Sequence, residues 1–408
     1  MRRLKNLANL RNLLINVMSI IQPSKQAQVQ HIFRELVGRD PAVVVRAPGV
    51  VHLLGGELEP SEGWTLAGAI EPAVWLAAAP TADNRVTVRA LNLGETAAFQ
   101  LPHLELFASS VGGNWINYPM GAAWALQKAG QTLVGLDVAL VGDLPQGVGL
   151  GSSTAVTLAF IQAWQTLSNF ELEPLSRAHL AQKTEKEYVG VQAGLMTQFV
   201  CAASRANELL FVDGRSYTHD SLPLPPNISL ILVDSGERGQ AAILRERARE
   251  CAAATAVLHP HLPHIKTLHD VTPDELELLG HHLPEPLRRR AAHVVGECAR
   301  VQAAATALRD SDLAALGRLL RQSHLSLRDN YEASAPALDL LAATAWATPG
   351  CVGARLGSGG FLQVLVEDQA VRKVFEALNG VFEEEYGRTP SSLVTKFTNG
   401  AGSVSDTA

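Results

Sequence analysis

Apolar positions in this chain fall into short continuous runs separated by longer stretches with a helical period. Residues 42–47, 74–79 and 136–141 are apolar runs of strand length, and 85–91 alternates apolar with polar, as a half-buried strand does. Residues 119–129, 155–168 and 175–189 carry helical spacing. A second set of strands is predicted at 209–212 and 229–233, followed by long alanine-rich helices over 241–258, 286–309 and 313–327. Residues 353–366 read as a hairpin-like pair and 369–386 as the last long helix. Strands and helices in this order predict an α/β (α+β) fold with mixed or antiparallel sheets and flanking helices. There is no internal repeat, and only tails such as 399–408 are plainly polar.

Composition sharpens this picture. At 408 residues, 47% hydrophobic and 18% charged, the chain can bury a large core and is expected to divide in two, over 31–205 and 206–408. A formal charge of −6 with dispersed Lys and Arg gives no footprint for nucleic acid. Cys201, Cys251, Cys298 and Cys351 are far apart in sequence, which predicts reduced thiols in a cytoplasmic protein. His259, His261 and His264 are interrupted by Pro260 and Pro263, a loop pattern and not a metal-ligand one. Residues 1–30 differ from the rest: they hold five cations and no acid, with a leucine stripe at Leu4, Leu7, Leu10, Leu13 and Leu14. They read as an N-terminal extension, or in part as sequence upstream of a start at Met18. They have neither the long apolar core of a signal peptide nor a membrane span.

The chemistry concentrates in residues 145–155, Pro-Gln-Gly-Val-Gly-Leu-Gly-Ser-Ser-Thr-Ala. Gly147, Gly149 and Gly151 allow left-handed backbone and close approach to an anion, and Ser152, Ser153 and Thr154 are placed to cap the following helix. The free N–H groups of such a helix start attract phosphate. A glycine turn that merely joins strand to helix is the simpler account of this loop alone, and its spacing is not that of the P-loop or the dinucleotide fingerprint.

The loop resembles the second motif of the GHMP kinases, and further segments in matching order resemble the galactokinases among them. Ala47-Pro48-Gly49 with Leu53-Leu54-Gly55 is similar to the first motif, and Gly63-Trp64-Thr65-Leu66 to the strand after it. Trp115-Ile116-Asn117-Tyr118, the segment from Gly190 to Met196, the segment from Ser323 to Asp329, and Gly353-Ala354-Arg355-Leu356-Gly357-Ser358-Gly359-Gly360-Phe361 are similar to galactokinase segments elsewhere. The resemblance implies the two-lobe GHMP fold, with ATP held mainly by the N-terminal lobe and the acceptor between the lobes. It implies a nucleotide site at Gly147, Gly149, Leu150, Gly151, Ser152, Ser153 and Thr154, with Trp115 beside the adenine and Gly357 and Gly359 closing on the loop. It implies Mg²⁺ ligands at Ser153 and Glu185, both oxygen donors suited to a hard cation.

The resemblance fails where acceptor chemistry is expected. The positions of the family's charge-stabilising Arg and its catalytic Asp are Val50 and Thr197. The sugar-contacting Glu-His-x-Asp corresponds to Gly56, Glu57, Leu58 and Glu59, and a sugar-binding Tyr aligns with Leu244. Gly194 is kept, and Arg238 resembles an arginine near the active-site loop, so Glu57, Glu59, Gly194 and Arg238 form the implied substrate side. Loss of a general base costs about 10²–10⁴ in rate. Two readings follow: an ATP-dependent kinase, inefficient on galactose, for a sugar or other alcohol with Glu57, Glu59, His52 and Thr197 at the rim, or a pseudokinase that senses nucleotide or small ligand and regulates a protein partner. Neither involves nucleic acid or membrane.

Overall fold

The computed structural model describes residues 24–104, 114–145, 147, 149–357 and 359–404. The leucine stripe at residues 4–14, and Gln146, Val148 and Ser358 of the glycine segments, lie outside the described residues.

Apolar strand runs are continuous because the main sheet is covered on both faces. Helix α1 (Lys25–Val37) lays Val29 and Phe33 on one face, against Val44 of β1 (Val43–Leu54) and Ala77 and Ala79 of β2 (Trp64–Pro80). Val43, Val45, Leu76 and Ala78, one residue out of phase, point into the main core on the other face. Helix α1 runs across residue 30, so the stretch read as an extension ends in a packed element from Lys25 onward.

The sheet continues with β3 (Arg85–Ala90) and β4 (Glu95–Gln100), then helix α2 (Asn117–Lys128) and β5 (Leu136–Gly142). Strand β5 pairs with the second half of β2 antiparallel and with β3 parallel. Helix α3 (Ser152–Leu167) follows the glycine loop and buries Ala155, Leu158 and Phe160. The helix expected over 175–189 is two pieces: α4 (Pro174–Lys183) and a π-helical turn, Thr184–Val189, in which Glu185 is buried. Such turns favour functional positions, because they re-aim a side chain that a regular helix would place elsewhere.

Beyond α5 (Met196–Ala203), strands β6 (Glu208–Asp213) and β7 (His219–Pro223) extend the same sheet through the first half of β2. A cut at 205/206 therefore separates two strands from the sheet they complete. The second sheet begins with β8 (Ile228–Asp234) and is followed by helices α6 (Gln240–Leu258), α7 (Pro273–Leu279), α8 (Leu287–Arg309) and α9 (Leu313–Asp329). Helix α10 (Pro336–Ala347) leads into β9 (Cys351–Leu356) and β10 (Leu362–Glu367), the expected hairpin. After α11 (Val371–Tyr386), β11 (Ser391–Thr395) completes a sheet ordered β11-β8-β10-β9. The chain then returns to the first sheet: β12 (Phe397–Thr398) pairs with β2, and β13 (Gly402–Ser403) with β1. No helix among the described residues is long and apolar enough to cross a membrane.

Candidate active site

The loop between β5 and α3 holds its glycines in the left-handed region, with φ of 74°, 73° and 75° at Gly147, Gly149 and Gly151. A Cβ on Gly149 would sit 2.5 Å from the Gly359 Cα, so this loop and the β9–β10 turn meet glycine on glycine. Gly357 closes that turn by accepting from the Gly360 N–H at 3.1 Å and donating to the Phe361 carbonyl at 2.8 Å. Leu150 is buried, and its carbonyl accepts from Val50 N at 3.0 Å, which ties the loop to β1.

Ser152, Ser153 and Thr154 do not cap α3: the helix begins at Ser152, its N-cap is Gly151, and no side chain satisfies the cap. With a glycine cap the first N–H groups stay free of side-chain partners, which leaves them for an anion.

Beside this helix start lies a cavity of about 530 Å³, lined by Gly147, Ser152, Ser153, Trp115, Tyr118 and Asn92 among others. That size suits a small-molecule site. The Trp115 indole N–H donates to Glu95 on β4, which fixes the ring at the cavity wall. Asn92 exchanges two 2.7 Å hydrogen bonds with the Gly142 backbone, holding the turn after β3 to the end of β5. Tyr118, whose role was not legible in the sequence, lines the same cavity as Ser153.

Glu185 is turned towards the same loop. Its carboxylate accepts from Thr154 Oγ1 at 2.9 Å and from Gln198 Nε2 at 3.1 Å. Burial pushes its pKa up to about 7, against the lowering effect of those two hydrogen bonds. All its partners are neutral, and the Gln198 Oε1 beside it is buried without a partner. An oxygen-rich, under-neutralised pocket of this kind fits Mg²⁺, which takes one or two carboxylates together with phosphates. Glu185 with Ser153 or Thr154 would hold the ion, and the ion would neutralise phosphate charge.

The opposite side is lined by side chains that contact one another. Thr197, in the first turn of α5, has its methyl against Gly151 and its hydroxyl 3.1 Å from His52 Nε2. Burial pushes the His52 pKa down to about 4, so the imidazole is neutral. Val50 is buried in β1 and supplies no charge. Glu57 is 6% exposed, 2.8 Å from Arg355 Nη2 of β9 and 3.3 Å from His293 of α8. Burial alone would raise its pKa; Arg355 and His293 overturn that and hold it well below the usual carboxylate range. Arg355 also donates to the Leu53 carbonyl at 3.1 Å, a role its place in the third glycine segment did not reveal.

Glu59 accepts from the Met196 N–H at 2.7 Å, at the start of α5, and its carboxylate lies where a Cβ on Gly194 would fall, 1.9 Å from Oε1. Burial raises its pKa. Glu59, Gly194 and Thr197 are thus brought to one place. Arg238 is exposed and bonds both oxygens of Asp234, at 2.8 and 2.9 Å, together with the Glu237 carbonyl, none of them a site residue. Leu244 packs on the second core.

The family model described as GHMP kinases N terminal domain matches residues 117–205, from α2 through the glycine loop to the end of α5. The fold and loop are those of a GHMP-type kinase, a class that uses ATP as substrate. A second model, the galactokinase galactose-binding signature, matches residues 31–80. The chain is 37% identical to a galactokinase of Roseiflexus sp. over 386 residues, 93% of this chain and 98% of the relative. It is 35% identical to one of Chloroflexus aggregans, over 91% of this chain and 95% of that relative. The structure of Lactococcus lactis galactokinase complexed with galactose superposes with a TM-score of 0.84 at 27% identity, covering 92% of this chain and 98% of that one. The chain belongs to the galactokinase family.

Proposed function

We propose that this chain binds ATP with Mg²⁺ in the cavity over the glycine loop and transfers the γ-phosphoryl group to an alcohol for which galactose is a poor substitute. The single observation that carries this reading is the contrast across the cleft. On one side, free helix N–H groups and Ser153 border a cavity of about 530 Å³, and the buried Glu185 carboxylate is held to the same helix start by Thr154. On the other, Glu57 is spent on Arg355 and Glu59 on the start of α5. A hexose needs donors and acceptors matched to its hydroxyls, and buried carboxylates already paired offer few. Phosphoryl transfer depends chiefly on positioning and electrostatic stabilisation, so Mg²⁺ and the glycine cradle supply much of it without a carboxylate base.

The absence of charge at both Val50 and Thr197 supports a second reading, a nucleotide-dependent regulator with no turnover. Thermal unfolding with ligands, followed by ADP release, separates them. ATP with Mg²⁺ at a hundredfold excess over Kd is expected to raise Tm by about 3 °C, whereas galactose alone leaves it unchanged. ADP release stimulated by one alcohol from a panel supports the kinase and eliminates the regulator. Rapid, saturable turnover of galactose would refute the altered acceptor site.

A further inference from the structure

Two hydroxyls and one imidazole form a chain whose proton directions follow from the atom at its end. The Leu54 carbonyl oxygen can only accept, so Thr65 Oγ1, 2.9 Å away, gives it its single proton. Thr65 Oγ1 also lies 3.3 Å from His52 Nδ1. With its own proton committed, the hydroxyl accepts there, and Nδ1 carries the hydrogen. A neutral imidazole holds one proton. His52 Nε2 is therefore a bare lone pair, and Thr197 Oγ1, at 3.1 Å, donates to it. The Thr197 oxygen is left with unshared pairs only.

The side chain that carries this oxygen packs beside the start of α3. The Thr197 methyl touches Gly151, the N-cap of α3, where the free N–H groups gather. An ordinary hydroxyl there could donate or accept. Tied to His52, it can only accept, which is the hydrogen-bonding behaviour of a carboxylate without its charge.

Resting on the kinase reading above, we propose that Thr197 Oγ1 accepts the hydrogen bond of the incoming alcohol and orients it, and that His52 is the positioning residue that fixes this polarity and takes up the proton. In the step, the alcohol oxygen bonds to the γ-phosphorus while the bond from that phosphorus to the bridging oxygen breaks, and ADP leaves with the electron pair. The alcohol's proton passes to Thr197 Oγ1, and Thr197's own proton passes to His52 Nε2. The imidazolium returns it to solvent after the product leaves.

The test uses the full chain with ATP and Mg²⁺, and galactose at high concentration as the probe acceptor. Thr197→Val is expected to lower galactose-dependent kcat at least about tenfold with the KM for ATP unchanged, and Thr197→Ser to stay within about threefold of the parent. Imidazole ¹⁵N spectra are expected to show His52 protonated at Nδ1 and bare at Nε2, with the Nε2 resonance moving in Thr197→Val and not in Thr197→Ser. A kcat indifferent to Thr197→Val, the opposite tautomer, or phosphate found on Thr197 by mass spectrometry each overturns the proposal while leaving the kinase reading intact. If the parent chain forms no ADP with galactose or any alcohol of the panel, the kinase reading falls and the catalytic role falls with it.

Discussion

A single buried ion pair shows how little freedom the side opposite the glycine loop has. Glu57 and Arg355 lie on different lobes, each almost wholly buried, 2.8 Å apart. Removing one partner strands the other charge in the interior, so Arg355→Met is expected to cost about 3–5 kcal/mol in urea unfolding, and adding Glu57→Gln should recover much of it. His52 makes a separate, pH-dependent contribution. Its unfolded imidazole binds a proton below about 6.5, whereas burial delays protonation in the fold to about 4. The stability it represents is complete above the unfolded value and is lost as pH falls from about 6.5 to 4, by about 3 kcal/mol. His52→Gln should flatten that limb when unfolding free energy is measured against pH. Glu57 acts on a lower window, because its depressed carboxyl is protonated only well below the usual carboxylate range.

The glycine loop and α3 behave as one element whose precision lies in what is missing. At Gly149 a methyl would meet the Gly359 backbone at 2.5 Å, in a backbone conformation that already disfavours side chains. Gly149→Ala should push the two loops apart and abolish the melting shift produced by ATP with Mg²⁺, with circular dichroism of the unliganded chain little changed. This element was legible in the sequence because glycine spacing and a strand-to-helix transition are local signals. The π-helical turn was not: residues 175–189 keep a helical period throughout, and the change that buries Glu185 comes with packing of Thr184 and Tyr188 beside Gly121. Helix α10 escaped for another reason, since its sequence Pro-Ala-Leu-Asp-Leu-Leu-Ala-Ala-Thr-Ala-Trp-Ala has apolar residues on every side and no amphipathic stripe to read. The departures at Val50 and Thr197 could be seen from motif position. The imidazole bridging Thr197 to Thr65 could not, because its partners are 13 and 145 residues away.

Across the whole molecule, elements remote in sequence share one sheet. Phe397 fills the space over Gly68, and the buried Arg177 donates to the Ala401 carbonyl at 2.9 Å, the Ala202 carbonyl at 3.1 Å and Gln162 at 2.6 Å. A chain ending at Lys396 would lose an aromatic side chain from the core and one partner of a buried guanidinium. It should unfold at least about 3 kcal/mol more easily in a denaturant titration, with glycine loop and Glu185 unaltered. The mixed α/β class, sheets flanked by helices, could be anticipated from the order of strands and helices. The return of the last residues to the first sheet could not, because strands of two residues carry no periodicity of their own.

Val45 and Arg46 take Ser403 and Gly402 as their strand neighbours. During synthesis some 20–70 s, at roughly 5–20 residues per second, separate the emergence of these partners from the ribosome. Throughout that interval the outer border of β1 has unclaimed amide and carbonyl groups, the kind of border that invites foreign strands. The first sheet begun therefore waits for Gly402 and Ser403 before that border is closed.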